Sequence, residues 1–242
     1  PISEIKDNII TAVPYFISES QTFTNQLKIE IGSAENTTIY FTTDGSKPNT
    51  NSEEYKSPIL ISDYTTLKAI CIKNGIKSKI VSADYFKIDN SKTIQLISEY
   101  ANQYSAAGDK TLIDHLRGGD NYRTGNWQGY RGDLIADIDL GKIKEVSSFS
   151  IGFLQEIRSW IFFPKEIKIF ISEDGETYSN LVTLSNTFPD DKEGTFTKDF
   201  TFEKGFKTKH IKIKAINYGV CPEWHLGSGG KTWLFADEII IE

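Results

Sequence analysis

Hydrophobic and polar residues alternate along most of this chain. In residues 26–31, Leu27, Ile29 and Ile31 alternate with Gln26, Lys28 and Glu30, which puts the three apolar side chains on one face of a strand. The same period predicts strands at 38–42, 58–61, 66–73 and 79–87, and later at 93–100, 134–140, 147–154, 166–172, 178–184, 195–202, 210–216 and 237–241. Breakers separate them: Asp44-Gly45 followed by Pro48 reads as a tight turn, and Asn74-Gly75 as a hairpin. In 66–73, Leu67, Ala69 and Cys71 share a face, so Cys71 is expected as a small buried hydrophobe. The pattern offers one helical turn, at 110–116.

A short polar stretch at 87–93 follows a completed strand and marks a domain boundary, giving domains 1–88 and 89–242. The eight longer strands of the second part, with no long helical pattern, predict a jelly-roll β-sandwich behind a smaller all-β sandwich. Its loops are unusual. Tyr122, Arg123, Trp127, Tyr130, Arg158, Trp160, Trp224 and His225 all fall between predicted strands. Aromatic and arginine side chains on the loops of a rigid sandwich are where binding is built. Trp127 and Trp233 flank strands and are expected to cap the core.

Composition narrows the function. The 242 residues are 38% hydrophobic and 25% charged, so the chain can bury real cores. A net charge of −6 speaks against nucleic acid, and no apolar run is long enough to span a membrane as a helix. Two cysteines, Cys71 and Cys221, are too few for a disulfide scaffold or a cysteine-rich zinc site. A start at Pro1 with no methionine anywhere reads as the cut edge of something longer.

Most motif matches fail on context. Residues 225–232, His-Leu-Gly-Ser-Gly-Gly-Lys-Thr, lack the first glycine of a phosphate loop and run into a strand, not a helix. Arg131-Gly132-Asp133 also runs into a strand, and Asn36-Thr37-Thr38 is a glycosylation pattern common by chance. Asp133, Asp137 and Asp139 alternate with apolar residues and read as a solvated strand face. Three scattered histidines give no zincin or triad spacing. Asp114 and the oxygen-rich residues 118–124, which include Asp120 and Thr124, suggest a calcium loop that is not an EF-hand.

Residues 38–48 (Thr-Ile-Tyr-Phe-Thr-Thr-Asp-Gly-Ser-Lys-Pro), Ser57-Pro58-Ile59 and 66–69 resemble the small immunoglobulin-like or fibronectin-III-like module of bacterial chitobiases and β-hexosaminidases. Residues 112–114, 126–130 (Asn-Trp-Gln-Gly-Tyr), 138–141, 169–175 and 236–239 resemble the discoidin, or coagulation factor 5/8 type C, domain, grouped in bacterial glycosidases as carbohydrate-binding module family 32. The pair is similar to the C-terminal tail of Bacteroides-type family 20 β-N-acetylhexosaminidases.

That resemblance implies a structural calcium held by Asp114 and Glu238, with carbonyls near Leu112 and Ala236. His115 and a longer loop depart from the family's Asp-Gly-Asp pattern, which leaves Asp120 and Thr124 open as ligands. It also implies a sugar site in the end loops 156–163 and 217–232, with Trp160, Arg158, Trp224 and His225 foremost and Tyr122, Arg123 and Tyr218 behind them. The expectation is a non-catalytic, glycan-binding tail of a secreted, periplasmic or surface glycosidase, partnered with its catalytic domain. The alternatives are a spacer docked on that domain, or a protein or lipid adhesion module.

Overall fold

In a computed structural model that describes residues 10–88 and 90–242, the protein is all-β. Its residues group into two compact units, Pro1–Ile88 and Asp89–Glu242.

The first unit contains β1 (Pro14–Ile17), β2 (Thr22–Phe23), β3 (Leu27–Ser33), β4 (Thr38–Thr42), β5 (Glu53–Glu54), β6 (Ile59–Ile61), β7 (Thr65–Lys73), β8 (Ile76–Lys77) and β9 (Val81–Lys87). One sheet runs β1-β3-β6. The other runs β2-β9-β7-β4-β5, with β8 paired to β7. The alternation of the sequence becomes the core: Leu27, Ile29, Ile31, Ile39, Phe41, Leu67, Ala69 and Cys71 form one buried cluster. Asn74 and Gly75 both take positive φ, 51° and 79°, as the two-residue turn between β7 and β8 requires.

The second unit contains β10 (Thr93–Leu96), β11 (Gln128–Tyr130), β12 (Leu134–Val146), β13 (Phe149–Glu156), β14 (Glu166–Ser172), β15 (Ser179–Ser185), β16 (Thr195–Phe202), β17 (Phe206–Ala215) and β18 (Leu234–Ile241). A five-stranded sheet, β10-β12-β17-β14-β15, faces a four-stranded one, β11-β18-β13-β16, and the two close a single core. Leu134, Ala136, Ile138 and Leu140 of β12 enter it beside Ile211, Ile213 and Ala215 of β17 and Phe149, Ile151 and Phe153 of β13. Asp137 and Asp139 sit on the outer face, as the pattern requires, beside His210, Lys209 and Lys212.

Two expectations need correcting. The helical turn is 3-10, Gly108–Ile113, and begins two residues early. The last strand starts at Leu234, not 237, because its first half is buried on both faces and shows no alternation. Pairing of β13 with β18 slips between Ile151/Phe153 and Ile239/Ala236, so β18 carries one extra residue. This bulge returns Ile239 to the core face that Leu234 and Ala236 occupy and lodges Asp237 and Glu238 in between. Opposite it stands Gly152, where an added Cβ would lie 2.1 Å from Asp237 Oδ1 and 2.6 Å from Arg117 Nη1.

Candidate functional site

The aromatic loop residues divide into buried supports and an exposed rim. Trp127 is 1% exposed. It packs with Trp233, Tyr122, Leu154, Ile161 and Phe235 in a satellite core under one end of the sandwich. Trp127, Trp233 and Tyr130 therefore act as structural rings. Trp160 and Trp224 stay 37% and 49% exposed, and Leu226 is wholly exposed.

These exposed groups line one cleft of about 480 Å³, together with Ile157, Arg158, Asp191, Glu193 and His225. That volume lies in the range of small-molecule sites. The segment Ile157–Ser159 forms a 3-10 turn that ends on Trp160 in the left-handed region (φ 65°), its N–H bonded to the Ile157 carbonyl at 2.8 Å. A tryptophan holds so strained a conformation only where its surroundings fix it. They do: its ring lies against the backbone of the glycine-rich loop, where a Cβ at Gly227 would come within 2.5 Å of the indole and one at Gly230 within 2.7 Å. Those glycines are present because the ring needs their bare backbone, not because a phosphate does.

His225 braces the same loop. It is buried; its Nδ1 accepts from the Gly227 N–H at 2.9 Å, which leaves the proton on Nε2 for the Ile157 carbonyl at 2.7 Å. With both nitrogens bonded to backbone, His225 positions the cleft and has neither nitrogen left over for a ligand. Its ring centroid lies 6.4 Å from that of Trp160 and 5.7 Å from that of Trp224, both nearly edge-on. The polar reach into the cleft comes from Arg158, which pairs with Glu193 at 2.6 Å, and from Asp191. The pattern along the chain offered no sign of Asp191 or Glu193, because an acidic run in a polar loop reads as solvated surface.

Three expected residues lie elsewhere. The Tyr218 ring stacks on Phe162 at 4.7 Å, and its hydroxyl donates to Asp190; burial and that carboxylate push its pKa up to about 12. Tyr122 and Arg123 line a second cleft. Cys221 and Cys71 are free and buried in different units.

The expected metal residues form a third locus. Glu238, on the bulge, accepts the His115 N–H through Oε2 at 2.9 Å, while its Oε1 is buried with no hydrogen-bond donor. Asp114 accepts the Leu116 N–H at 2.9 Å. Desolvation raises both: Asp114, with the Asp237 charge nearby, to about 6, and Glu238, with the Asp114 charge nearby, to about 8. Asp237 is satisfied differently, by Arg117 and the N–H groups of Gly118 and Glu238. Leu112 and Ala236 each precede a carboxylate by two residues, whereas Asp120 is exposed and the Thr124 hydroxyl is spent on the carbonyls of Gly118 and Asn121. Among the described residues no three His, Cys, Asp or Glu side chains converge, so a cation here would depend on backbone oxygens. An orphaned carboxylate oxygen beside a second buried carboxylate fits a hard, oxygen-seeking cation.

The sandwich and its end loops define a class. Residues 93–228 match the F5/8 type C domain, and the chain belongs to that family. Residues 29–85 match the Fn3 associated family. No curated protein matches the chain. Among solved structures, the CpGH89CBM32-5 module of Clostridium perfringens, determined with GalNAc-beta-1,3-galactose, is similar at 15% identity and a TM-score of 0.40, over 62% of this chain and 94% of that one. The family 32 carbohydrate-binding module of C. perfringens NanJ, determined with galactose, is similar at 17% identity and a TM-score of 0.39, over 62% and 93%. A Ruminococcus gnavus GH29 fucosidase is similar at 15% identity and a TM-score of 0.40, over 62% of this chain and 25% of its own.

Proposed function

We propose that this chain is a non-catalytic carbohydrate-binding segment whose second unit takes a terminal galactose or N-acetylhexosamine in the cleft between Trp160 and Trp224. The observation that carries this is the pair of half-exposed indoles held on a braced loop. A pyranose has an apolar face of axial C–H bonds that stacks on such rings, while Arg158, Asp191 and Glu193 supply donors and acceptors for its hydroxyls. Galactose and N-acetylgalactosamine titrated into the protein should bind weakly and quench tryptophan fluorescence. Trp160→Ala and Trp224→Ala should each abolish the signal with the circular dichroism of the fold retained. Unchanged binding in both variants overturns the assignment. Iodide should quench these rings in the full-length parent as well, whereas the rings of a docked spacer would be quenched only once separated from it.

The sequence resemblance supports a parent glycosidase, a β-N-acetylhexosaminidase in the first instance, working outside the cytoplasm on glycans. This segment alone should not turn over a chromogenic N-acetylglucosaminide. Among the described residues, no helix is long and apolar enough to cross a membrane.

We also propose that Asp114 and Glu238 hold a structural calcium ion, with carbonyls near Leu112 and Ala236 as further ligands. The cation would neutralise two buried carboxylates and tie the 3-10 turn to β18. Chelation should lower the melting temperature of the second unit by several degrees, calcium should restore it, and Glu238→Gln should remove the response. Identical melting curves with calcium and with chelator would exclude the site.

A further inference from the structure

A second cleft is joined to the first by one side-chain hydrogen bond. It measures about 390 Å³ and is lined by Gln103, Tyr104, Ser105, Tyr122, Arg123 and Trp127, among others. Tyr122 ties the two together: its hydroxyl donates to Ser159 Oγ at 3.0 Å, and the next residue, Trp160, walls the proposed sugar cleft. Ser159 stands between Arg158 and Trp160, which both line the first cleft, so this one bond joins the walls of the two clefts.

The second cleft is built, not incidental. Tyr104 lies edge-on to Tyr122 (5.9 Å), Trp233 (5.2 Å) and Phe235 (4.8 Å), which fixes an aromatic floor. The loop that carries Arg123 is pinned by Thr124 Oγ1 to the carbonyls of Gly118 and Asn121, and by Asn121 Oδ1, which accepts the Arg123 N–H at 3.0 Å. Arg123 itself lays its guanidinium over the Tyr122 ring, 4.2 Å from the centroid. Among the described residues, no carboxylate pairs with it. A guanidinium held over a ring with no carboxylate partner has N–H donors to offer, and its fork suits a planar or tetrahedral oxyanion.

The contrast between the two clefts is chemical. The first cleft holds two carboxylates and one guanidinium that one of them already occupies. The second holds an unpaired guanidinium over aromatic rings. We propose that the second cleft is an additional saccharide subsite, for an anionic unit of the same glycan whose neutral terminal sugar sits between Trp160 and Trp224. The anionic group is a carboxylate or a sulfate, and Arg123 receives it. This rests on the carbohydrate-binding reading of the first cleft.

The test is calorimetric titration with four probes: galactose, a neutral galactose-terminated disaccharide, and two disaccharides with the same terminal galactose but a uronate or a sulfated second unit. The anionic disaccharides should bind about tenfold more tightly than the neutral one at low salt, and the larger gain names the anion. Arg123→Ala should erase that gain and leave galactose binding unchanged. Arg123→Lys, which keeps the charge and loses the fork, should restore only part of it. Equal binding of neutral and anionic disaccharides, or a preference that survives Arg123→Ala, overturns the subsite while the first cleft stands. No binding by any probe overturns both.

Discussion

At the scale of single residues, the glycines of loop 227–230 and the tryptophan above them are one device. Gly227→Ala places a methyl where the Trp160 ring now lies, so the ring must move although the variant never touches the cleft. Sugar affinity should fall about tenfold or more by titration while the melting temperature changes little. A variant that binds normally would show that the ring's position does not govern binding. Asp174 makes a second residue-level case. Its carboxylate accepts the N–H groups of Glu176 and Thr177 and the Ser172 hydroxyl, and these bonds lower its pKa to about 2. Because the folded value lies below the ordinary one near 3.8, the contribution is present above that pH and is lost as pH falls toward 2. Asp174→Ala should therefore flatten the acid limb of a stability–pH curve and lower stability at neutral pH. An unaltered limb would rule this out.

At the scale of elements, the chain's alternation translated directly into strands wherever one face met the core. β4, β14 and β16 run over the residues the pattern predicted, 38–42, 166–172 and 195–202. The reading missed β11, whose three residues, Gln128, Gly129 and Tyr130, are all buried and do not alternate. The first half of β18 was lost for the same reason, since Phe235 fills the satellite core while Leu234 and Ala236 fill the main one. Trp160, Arg158 and Trp224 fall between strands, where the pattern put them, and line one cleft. The cleft each would join was not legible, because that depends on a turn with a positive φ and on packing from distant strands. The bulge in β18 was equally hidden, yet it orders the buried carboxylates. Gly152→Ala should therefore cost about 1–3 kcal/mol in chemical denaturation, by forcing Asp237 and Arg117 apart. A cost near zero would mean the bulge region relaxes freely.

At the scale of the whole molecule, each unit closes its own core, and the two free cysteines are divided between them. A fragment of residues 89–242 expressed alone should keep its β-type circular dichroism and its sugar binding, and a collapsed fragment would show that the unit needs its neighbour. The braced Trp160 has a further consequence, in time rather than space. Its ring, the His225 bonds and the glycine loop set the cleft before any ligand arrives, so little ordering is required at the moment of contact. Association should then be quick and nearly the same for every sugar that fits, and preference among sugars should appear as differences in residence time. A module of this kind lets go often and rebinds often, so an enzyme tethered to it would drift across a glycan surface instead of parking on it.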